Sequence, residues 1–564
     1  MPSIFDSAGN IVPPQDIARV RARALVGGGI APYDAADRVS AEMASWTPWL
    51  GSPDGETTPY RDAAVARLRD LIRNDGWASG TVTRTLDAVV GADLRVSSQP
   101  DYRALARRWP GVAFDAVWAR EYGEAAEAAW RSWGYDPGRW CDLQRRLLWP
   151  QIARLAFRHY LVEGEAIAVL PWRDDRRGYG RARYATALDL IDPDRLSNPN
   201  MRTDARDLRG GIELDPDGVP VAFHIRRAHQ NDWFVGSQGW TWERVARETD
   251  FGRPQVVHFF DMERAGQHRP VGGIFAPVLA RMRMLAQYDR VELQAAIVNA
   301  IFGAYVESPF DSDDVQEAMQ DQDQLSTYQK MRSDFWQDTR MSSGNVRLAK
   351  LFPGERINTI QSTRPNSAFD AFEGAMLRNI ATSVGLPYET VSADYRGSSY
   401  SSARQSMLEA WRTLHRRRMD FGYGFVAPIF GAVLEEAIDR ADVPLPAGAP
   451  EFPEIRAELS RIKVIGPGRG WIDPVKEVEG AKARIAAGLS TMEAEMAEQS
   501  GVDLEETLDQ RAIEQRMLAE RGLVADFGKG GSKPAGDDGN DAGDGATPPK
   551  PGEGEGNSAE SAAE

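Results

Sequence analysis

Apolar and polar positions along the chain alternate with two periods, and the change between them divides it. Ala64, Leu68, Leu71 and Ile72 recur every three to four residues and predict an amphipathic helix over 61–74, closed by Asp75-Gly76. Val82, Leu86, Val89 and Val90 carry a second helix over 81–90 up to Gly91, and 94–96 is predicted extended. Two more helices are predicted over 122–133 and 143–161. The period then drops to two. The runs 165–171, 187–191 and 255–260 are predicted strands. The segments 211–214 and 220–225, joined by Asp215-Pro216-Asp217-Gly218, predict a hairpin.

Helical spacing returns over 274–306, with Pro277 in the first turn, where a missing N–H is tolerated. At ~1.5 Å per residue such a helix would run roughly 50 Å. The next stretch, 307–324, holds seven acidic residues and no Lys or Arg, and 346–359 predicts short strands around Pro353-Gly354. Phe369, Phe372, Met376, Ile380 and Val384 then mark one helical face, stopped by Gly385-Leu386-Pro387. A Gly-, Ser- and Tyr-rich loop over 390–400 leads to a helix over 401–422 with Leu408, Trp411 and Leu414 apolar and Arg416, Arg417 and Arg418 near its end. Polar helices are predicted over 473–489 and 491–518. The first 60 residues read as an arm with a short helix over 33–46. The fold class is α+β, with no internal repeat.

Composition narrows the function. The 564 residues carry a net charge of −16. A protein that grips nucleic acid by phosphate neutralisation would be basic. The segment 525–564 is low in apolar residues and holds nine acidic and three basic ones, supplying −6 of the −16; it is predicted to be disordered. A single cysteine, Cys141, excludes a disulfide framework and multi-cysteine metal sites. The longest uncharged apolar stretches, 295–306 and 421–434, fall short of the roughly 18 residues of a membrane span, so no membrane association is expected. Arginine outnumbers lysine 59 to 8, and there are 16 tryptophans. Coding bias accounts for the first ratio, but both residue types are enriched at subunit interfaces.

No catalytic constellation emerges. Gly466-Pro467-Gly468-Arg469-Gly470 and Gly528-Lys529-Gly530-Gly531-Ser532-Lys533 both miss the phosphate-loop pattern. Gly397-Ser398-Ser399-Tyr400 is not a nucleophile elbow, and Ser399 fits a helix N-cap region. The six histidines form no ligand cluster, and His224 and His229 are expected to be structural. No catalytic residue, metal or cofactor is expected, and the acidic 307–324 run lacks calcium-loop spacing. Successive Arg416, Arg417 and Arg418 point in three directions on a helix, so they are expected to pair between helices or subunits.

Five segments in order resemble the lambda family of phage portal proteins. They are Arg73-Asn74-Asp75-Gly76-Trp77-Ala78-Ser79-Gly80 leading to Asp87-Ala88-Val89-Val90-Gly91; Gly211-Ile212-Glu213 with Gly218-Val219-Pro220-Val221-Ala222-Phe223; Arg269-Pro270-Val271-Gly272-Gly273-Ile274-Phe275-Ala276-Pro277-Val278; Tyr400-Ser401-Ser402-Ala403-Arg404 with Trp411 and Arg416-Arg417-Arg418; and Trp471-Ile472-Asp473-Pro474-Val475-Lys476-Glu477. The matches span roughly 60–520.

The resemblance implies a portal fold: an N-terminal arm (1–60), a mixed α/β wing (61–272), a first stem helix (273–306), a small strand-containing clip (307–365), a second stem helix (366–384), a tunnel loop (385–400), wing return helices (401–460), a helical crown (461–523) and a disordered acidic tail (524–564). It implies a non-enzymatic subunit of a homo-oligomeric ring, usually of twelve, at one capsid vertex of the virion, assembled in the host cytoplasm. Duplex DNA would pass through its channel during packaging and ejection, held weakly and without sequence preference. The implied partners are the terminase large subunit, head–tail connector proteins, and major capsid or scaffold proteins. Tyr395, Arg396, Gly397, Ser398, Ser399 and Tyr400 would face the channel. Arg416, Arg417 and Arg418 would lie at a subunit interface or near DNA. Another phage connector or baseplate protein, or an unrecognised hydrolase, are the rival readings.

Overall fold

The computed structural model describes residues 45–301, 369–397, 399–470 and 473–523, together with residue 43 and short stretches between 305 and 358. The predicted helix at 33–46, most of the acidic 307–324 run and the tail lie outside the described residues. The body is mixed: helices α1 (Pro53–Asn74), α2 (Gly76–Val89), α3 (Tyr102–Arg108), α4 (Ala116–Gly134) and α5 (Trp149–Glu163) precede a strand-rich region. The first helix starts earlier than its apolar pattern suggested. Ser52 caps it by accepting from the Gly55 N–H, and Pro53 sits where its missing N–H does no harm. Asp75 separates α1 from α2: its side chain accepts from the Ala78 N–H at 2.8 Å. The predicted 143–161 helix begins only at Trp149. Asp142 instead organises the preceding turn, accepting from the N–H groups of Gln144, Arg146 and Leu147.

Among the described residues the two larger sheets, of three and four strands, lie between residues 165 and 260. In one, β2 (Glu165–Val169) is flanked by β3 (Asp189–Ile191) and β8 (Val256–Phe260), all antiparallel. The other runs in order β4 (Leu208–Arg209), β5 (Ile212–Leu214), β6 (Pro220–Arg226), β7 (Trp242–Ala246), and contains the predicted hairpin, with Ile212 opposite Phe223. Gly211 sits at φ +91°, and a Cβ there would lie 2.6 Å from the Ser197 nitrogen, so the motif glycine is needed for close approach. A strand pair not foreseen joins distant parts of the chain: β1 (Arg95–Ser98) pairs antiparallel with the later strand Ile462–Ile465.

The main core packs the helices against β2 and β8. Trp130, Trp133 and Trp149 cluster there, with Trp130 and Trp149 edge to face at 4.7 Å, and Phe430 joins them. Part of the tryptophan content therefore serves the interior of the chain. Phe430 belongs to a continuous helical run, Ser401–Asp439, that is long and apolar enough to cross a membrane by length and composition; 72% of its apolar window is buried inside the fold. A π-helical stretch, Gly422–Val426, lies within it. Cβ atoms at Gly422 and Gly424 would lie 2.5 Å from Val464 and 2.4 Å from Phe259, so two glycines let this helix lie close to the Ile462–Ile465 strand and to β8.

Residues 504–520 form a separate helix, Leu504–Glu520, with no buried side chains, in a unit distinct from the preceding 503 residues. The predicted 491–518 helix is thus two, Met492–Gln499 and Leu504–Glu520, separated by Gly501 at φ +67°.

Candidate functional site

The segment singled out by the sequence is a helix pair and the loop that follows it. The first helix, α6 (Leu279–Ile301), is shorter than predicted. A 3-10 turn at Ala276–Val278, holding Pro277, precedes it. At the far end, Tyr305–Glu307 is a strand paired with Arg356–Asn358, consistent with the aromatic and β-branched residues Tyr305 and Val306 there. Twenty-three residues give about 35 Å. The second helix, α7 (Phe369–Val384), buries Ile380 and Val384 of its predicted face together with Leu377, while Phe369 and Met376 are half-buried and Phe372 is exposed. Tyr288 of α6 stacks on Phe369 at 5.6 Å and meets Phe372 edge-on at 5.1 Å. Four large side chains of α6, Met284, Val291, Leu293 and Ile297, are half or more exposed, or nearly so.

The pair is balanced in charge. Arg281, Arg283, Arg290 and Arg378 offset Asp289, Glu292, Asp370 and Glu373. The acidic excess sits instead in 307–324 and the tail. One carboxyl is unusual: burial, with the nearby charges of Glu373 and Asp75, raises Asp289 to about 6, and its Oδ1 is buried without a hydrogen-bond partner.

After Gly385 (φ +73°) ends α7, a short helix unforeseen in the sequence, α8 (Tyr388–Ser392), precedes the loop. Arg84 of α2 donates to the Thr390 and Val391 carbonyls at 2.8 and 2.9 Å and anchors the loop's base. Beyond it, Tyr395, Arg396 and Gly397 are exposed, and Ser398 lies outside the described residues. The Arg396 guanidinium pairs with both carboxylate oxygens of Asp394 at 2.9 Å, holding that carboxyl down at about 2. Ser399 caps the next helix, α9 (Tyr400–Phe421), by accepting from the Ser402 N–H at 3.2 Å, so Tyr400 is its first helical residue.

The three consecutive arginines separate as helical geometry requires. Arg416 is exposed and pairs with Asp420 at 2.8 Å. Arg417 is buried and donates to the Val384 carbonyl at 2.8 Å. Arg418 is buried and donates to the carbonyls of Val89, Ala88 and Pro467, and burial lowers it to about 10. Two of the three therefore sit inside their own chain. A Cβ on Gly466 would lie 2.6 Å from Arg418 Nε, so the Gly466–Gly470 run makes room for that arginine.

Sequence reasoning missed the densest ionic cluster. Glu165, fully buried on β2, meets Arg61 at 2.7 Å, His258 at 2.8 Å and Arg269. Burial raises its carboxyl, but Arg269 and Arg61 outweigh that and hold it well below the usual range. Arg269, from the third resembling segment, also donates to the carbonyls of Leu196, Gly210 and Pro193. A glutamate within the apolar run Glu165-Ala166-Ile167-Ala168-Val169 was the available signal, since a buried carboxylate needs a cation. Among the described residues one triad, Asp192, Asp194 and His229, has metal-ligand spacing, but Arg69 already pairs with both aspartates at 2.8 and 2.5 Å. His224 faces Glu213 at 3.4 Å.

Residues 40–418 match the family described as phage portal protein, lambda family. The chain is 30% identical over 480 residues to portal protein B of Escherichia phage lambda, covering 84% of this chain and 87% of that protein. It is 29% identical over 489 residues to the portal protein of Escherichia phage N15, covering 86% and 89%. Among solved structures, the neck of an empty gene transfer agent particle, computed with C6 symmetry, aligns with a TM-score of 0.43 at 12% identity over 81% of this chain and 97% of that one. A portal protein of the HK97 family from Corynebacterium diphtheriae aligns at 0.25 and 11% over 64% and 88%. The helix pair, the loop and the mixed body thus belong to a phage structural protein. The chain is a member of the lambda family of phage portal proteins.

Proposed function

We propose that copies of this chain close into a ring at one vertex of the capsid and give duplex DNA its passage during packaging and ejection. The observation that carries this is the family match across 40–418, which spans the mixed body, the helix pair and the loop. The exposed apolar side chains of α6 support it, because they would be covered by a neighbouring copy. The helix pair would be the stem, the segment between its helices the clip that meets the terminase large subunit and head–tail connector proteins, and 393–399 the loop nearest the DNA. The acidic excess of 307–324, in the clip, would disfavour phosphate binding there, so DNA would slide rather than stick. Major capsid or scaffold proteins would surround the ring in the virion. No residue is assigned catalysis; the force for packaging would come from another protein. Native mass spectrometry of the purified full-length chain tests this: closed rings of one subunit number are expected, and a strictly monomeric chain at high concentration would refute it.

A further inference from the structure

His268 lies on the turn before α6, fixed in place from both sides. Gln267 is buried, accepts from the Glu263 and Arg264 N–H groups and donates to the Arg269 carbonyl at 3.1 Å. Arg269 is bonded to Glu165 inside the fold. Between these anchors the imidazole reaches two other elements. Its Nδ1 lies 2.8 Å from the Asp54 carboxylate in the first turn of α1, and its Nε2 lies 3.3 Å from the Gly218 carbonyl in the turn between β5 and β6. The His268 backbone N–H donates to the other Asp54 oxygen at 2.8 Å. Both ring nitrogens therefore face acceptors that have no proton to give. A neutral imidazole carries one N–H and satisfies one of them; only the imidazolium donates to both.

The tip 215–219 has little else tying it to the body. Among the described residues its other hydrogen bonds stay within it: the Asp215 carboxylate accepts from the Asp217 and Val219 N–H groups, and its carbonyl from Gly218. Gly218 and His268 also line a cavity of about 530 Å³ between the two larger sheets, whose apolar walls include Phe223 and Phe260. The charged groups around the ring are Asp54, Arg209 of β4 at 3.6 Å from Asp54, and Asp215 and Asp217 on the tip. Across the cavity stand Arg247, Glu248 and His258, the last bonded to Glu165; on the turn itself Arg264 pairs with Glu56. We infer that His268 is a proton-operated latch: as imidazolium it ties the 215–219 tip and the start of α1 to the turn before α6, and on giving up its Nε2 proton to solvent it releases the tip and opens that end of the cavity. Nδ1 keeps its proton because it faces the carboxylate, the stronger acceptor. Nε2 then turns a lone pair towards the Gly218 carbonyl. The hydrogen bond to Asp54 raises His268 above its ordinary 6.5, against burial and Arg209. Burial raises Asp54, but His268 outweighs it and holds that carboxyl below 3.8. The latch is thus fully closed below pH 6.5, down to where Asp54 takes up a proton, and is lost as pH rises through the folded value of His268.

Hydrogen exchange of the full-length chain tests this, read by mass spectrometry on peptides covering 215–220 from pH 6 to pH 9 and corrected for intrinsic exchange. The wild-type tip is expected to lose protection by about fivefold or more across that range, while peptides of the buried α5 keep theirs. His268→Gln offers a neutral donor at every pH and is expected to show the low protection already at pH 6. Asp54→Asn is expected to move the loss to lower pH. Circular dichroism melting checks that each variant folds; if neither does, the wild-type series decides alone. A tip equally protected at pH 6 and pH 9, or a folded His268→Gln that keeps the wild-type pH dependence, would overturn the latch.

Discussion

The same chemistry, arginine against carboxylate, appears in two regions with opposite consequences. At Glu165 the carboxylate is wholly buried, and Arg61, Arg269 and His258 converge on it from α1, the turn before α6 and β8. At Asp394 and Arg396 the pair is local, two residues apart, and the arginine side chain is 80% exposed. The buried cluster joins elements up to about two hundred residues apart in sequence and fixes their positions. The exposed one joins nothing beyond its own turn, apart from Asp370 at 3.8 Å. Arginine content alone is therefore uninformative; what an arginine does depends on how many elements meet at its head group and on whether water reaches it.

Removing one charge from each region breaks this comparison most directly. Glu165→Gln leaves Arg269 buried without its paired carboxylate and Arg61 with only Asp62 and Asp194, and is expected to cost about 3–5 kcal/mol, read as a lowered denaturant midpoint; a loss near zero would show that the cluster is not dry. A smaller effect is expected at Asp289, which lies between the two extremes. Its carboxyl titrates near 6 in the folded chain, above its ordinary 3.8, so the folded state binds the extra proton between those values. Stability is then lost as pH rises through 6. Asp289→Asn is expected to stabilise the chain by about 1 kcal/mol at pH 7.5, discounted for partial exposure, with the gain gone near pH 4. A pH-independent difference would contradict this. At the exposed end, Arg396→Ala is expected to leave the melting temperature unchanged while altering the yield of packaged DNA in particles that carry it. A lowered melting temperature would mean the loop is part of the folded frame.

Much of the fold was legible from periodicity because the elements are amphipathic and bounded by capping residues. Asp75, Gly91, Gly385 and Ser399 each mark a real boundary. What escaped depends on distance or on brevity. The Ile462–Ile465 strand follows a helix, and its partner lies more than 360 residues earlier. The five residues of α8 are too few to show a period. The predicted first helix of the pair overran because Ile301 through Val306 is apolar throughout, and an apolar run cannot say where a helix gives way to a strand. Of the candidate site, the loop and the arginine triplet were visible as residue types. Their burial was not: Arg416 and Arg418 are alike in sequence, yet one lies in water and the other is bonded to three carbonyls.

The central claim concerns an assembled object, and an image of it decides. Electron cryo-microscopy of the purified full-length chain is expected to show a closed ring pierced by a hole that admits duplex DNA, with α6 and α7 around it. A particle with no central opening, or a bore lined mainly by arginine, would contradict the account.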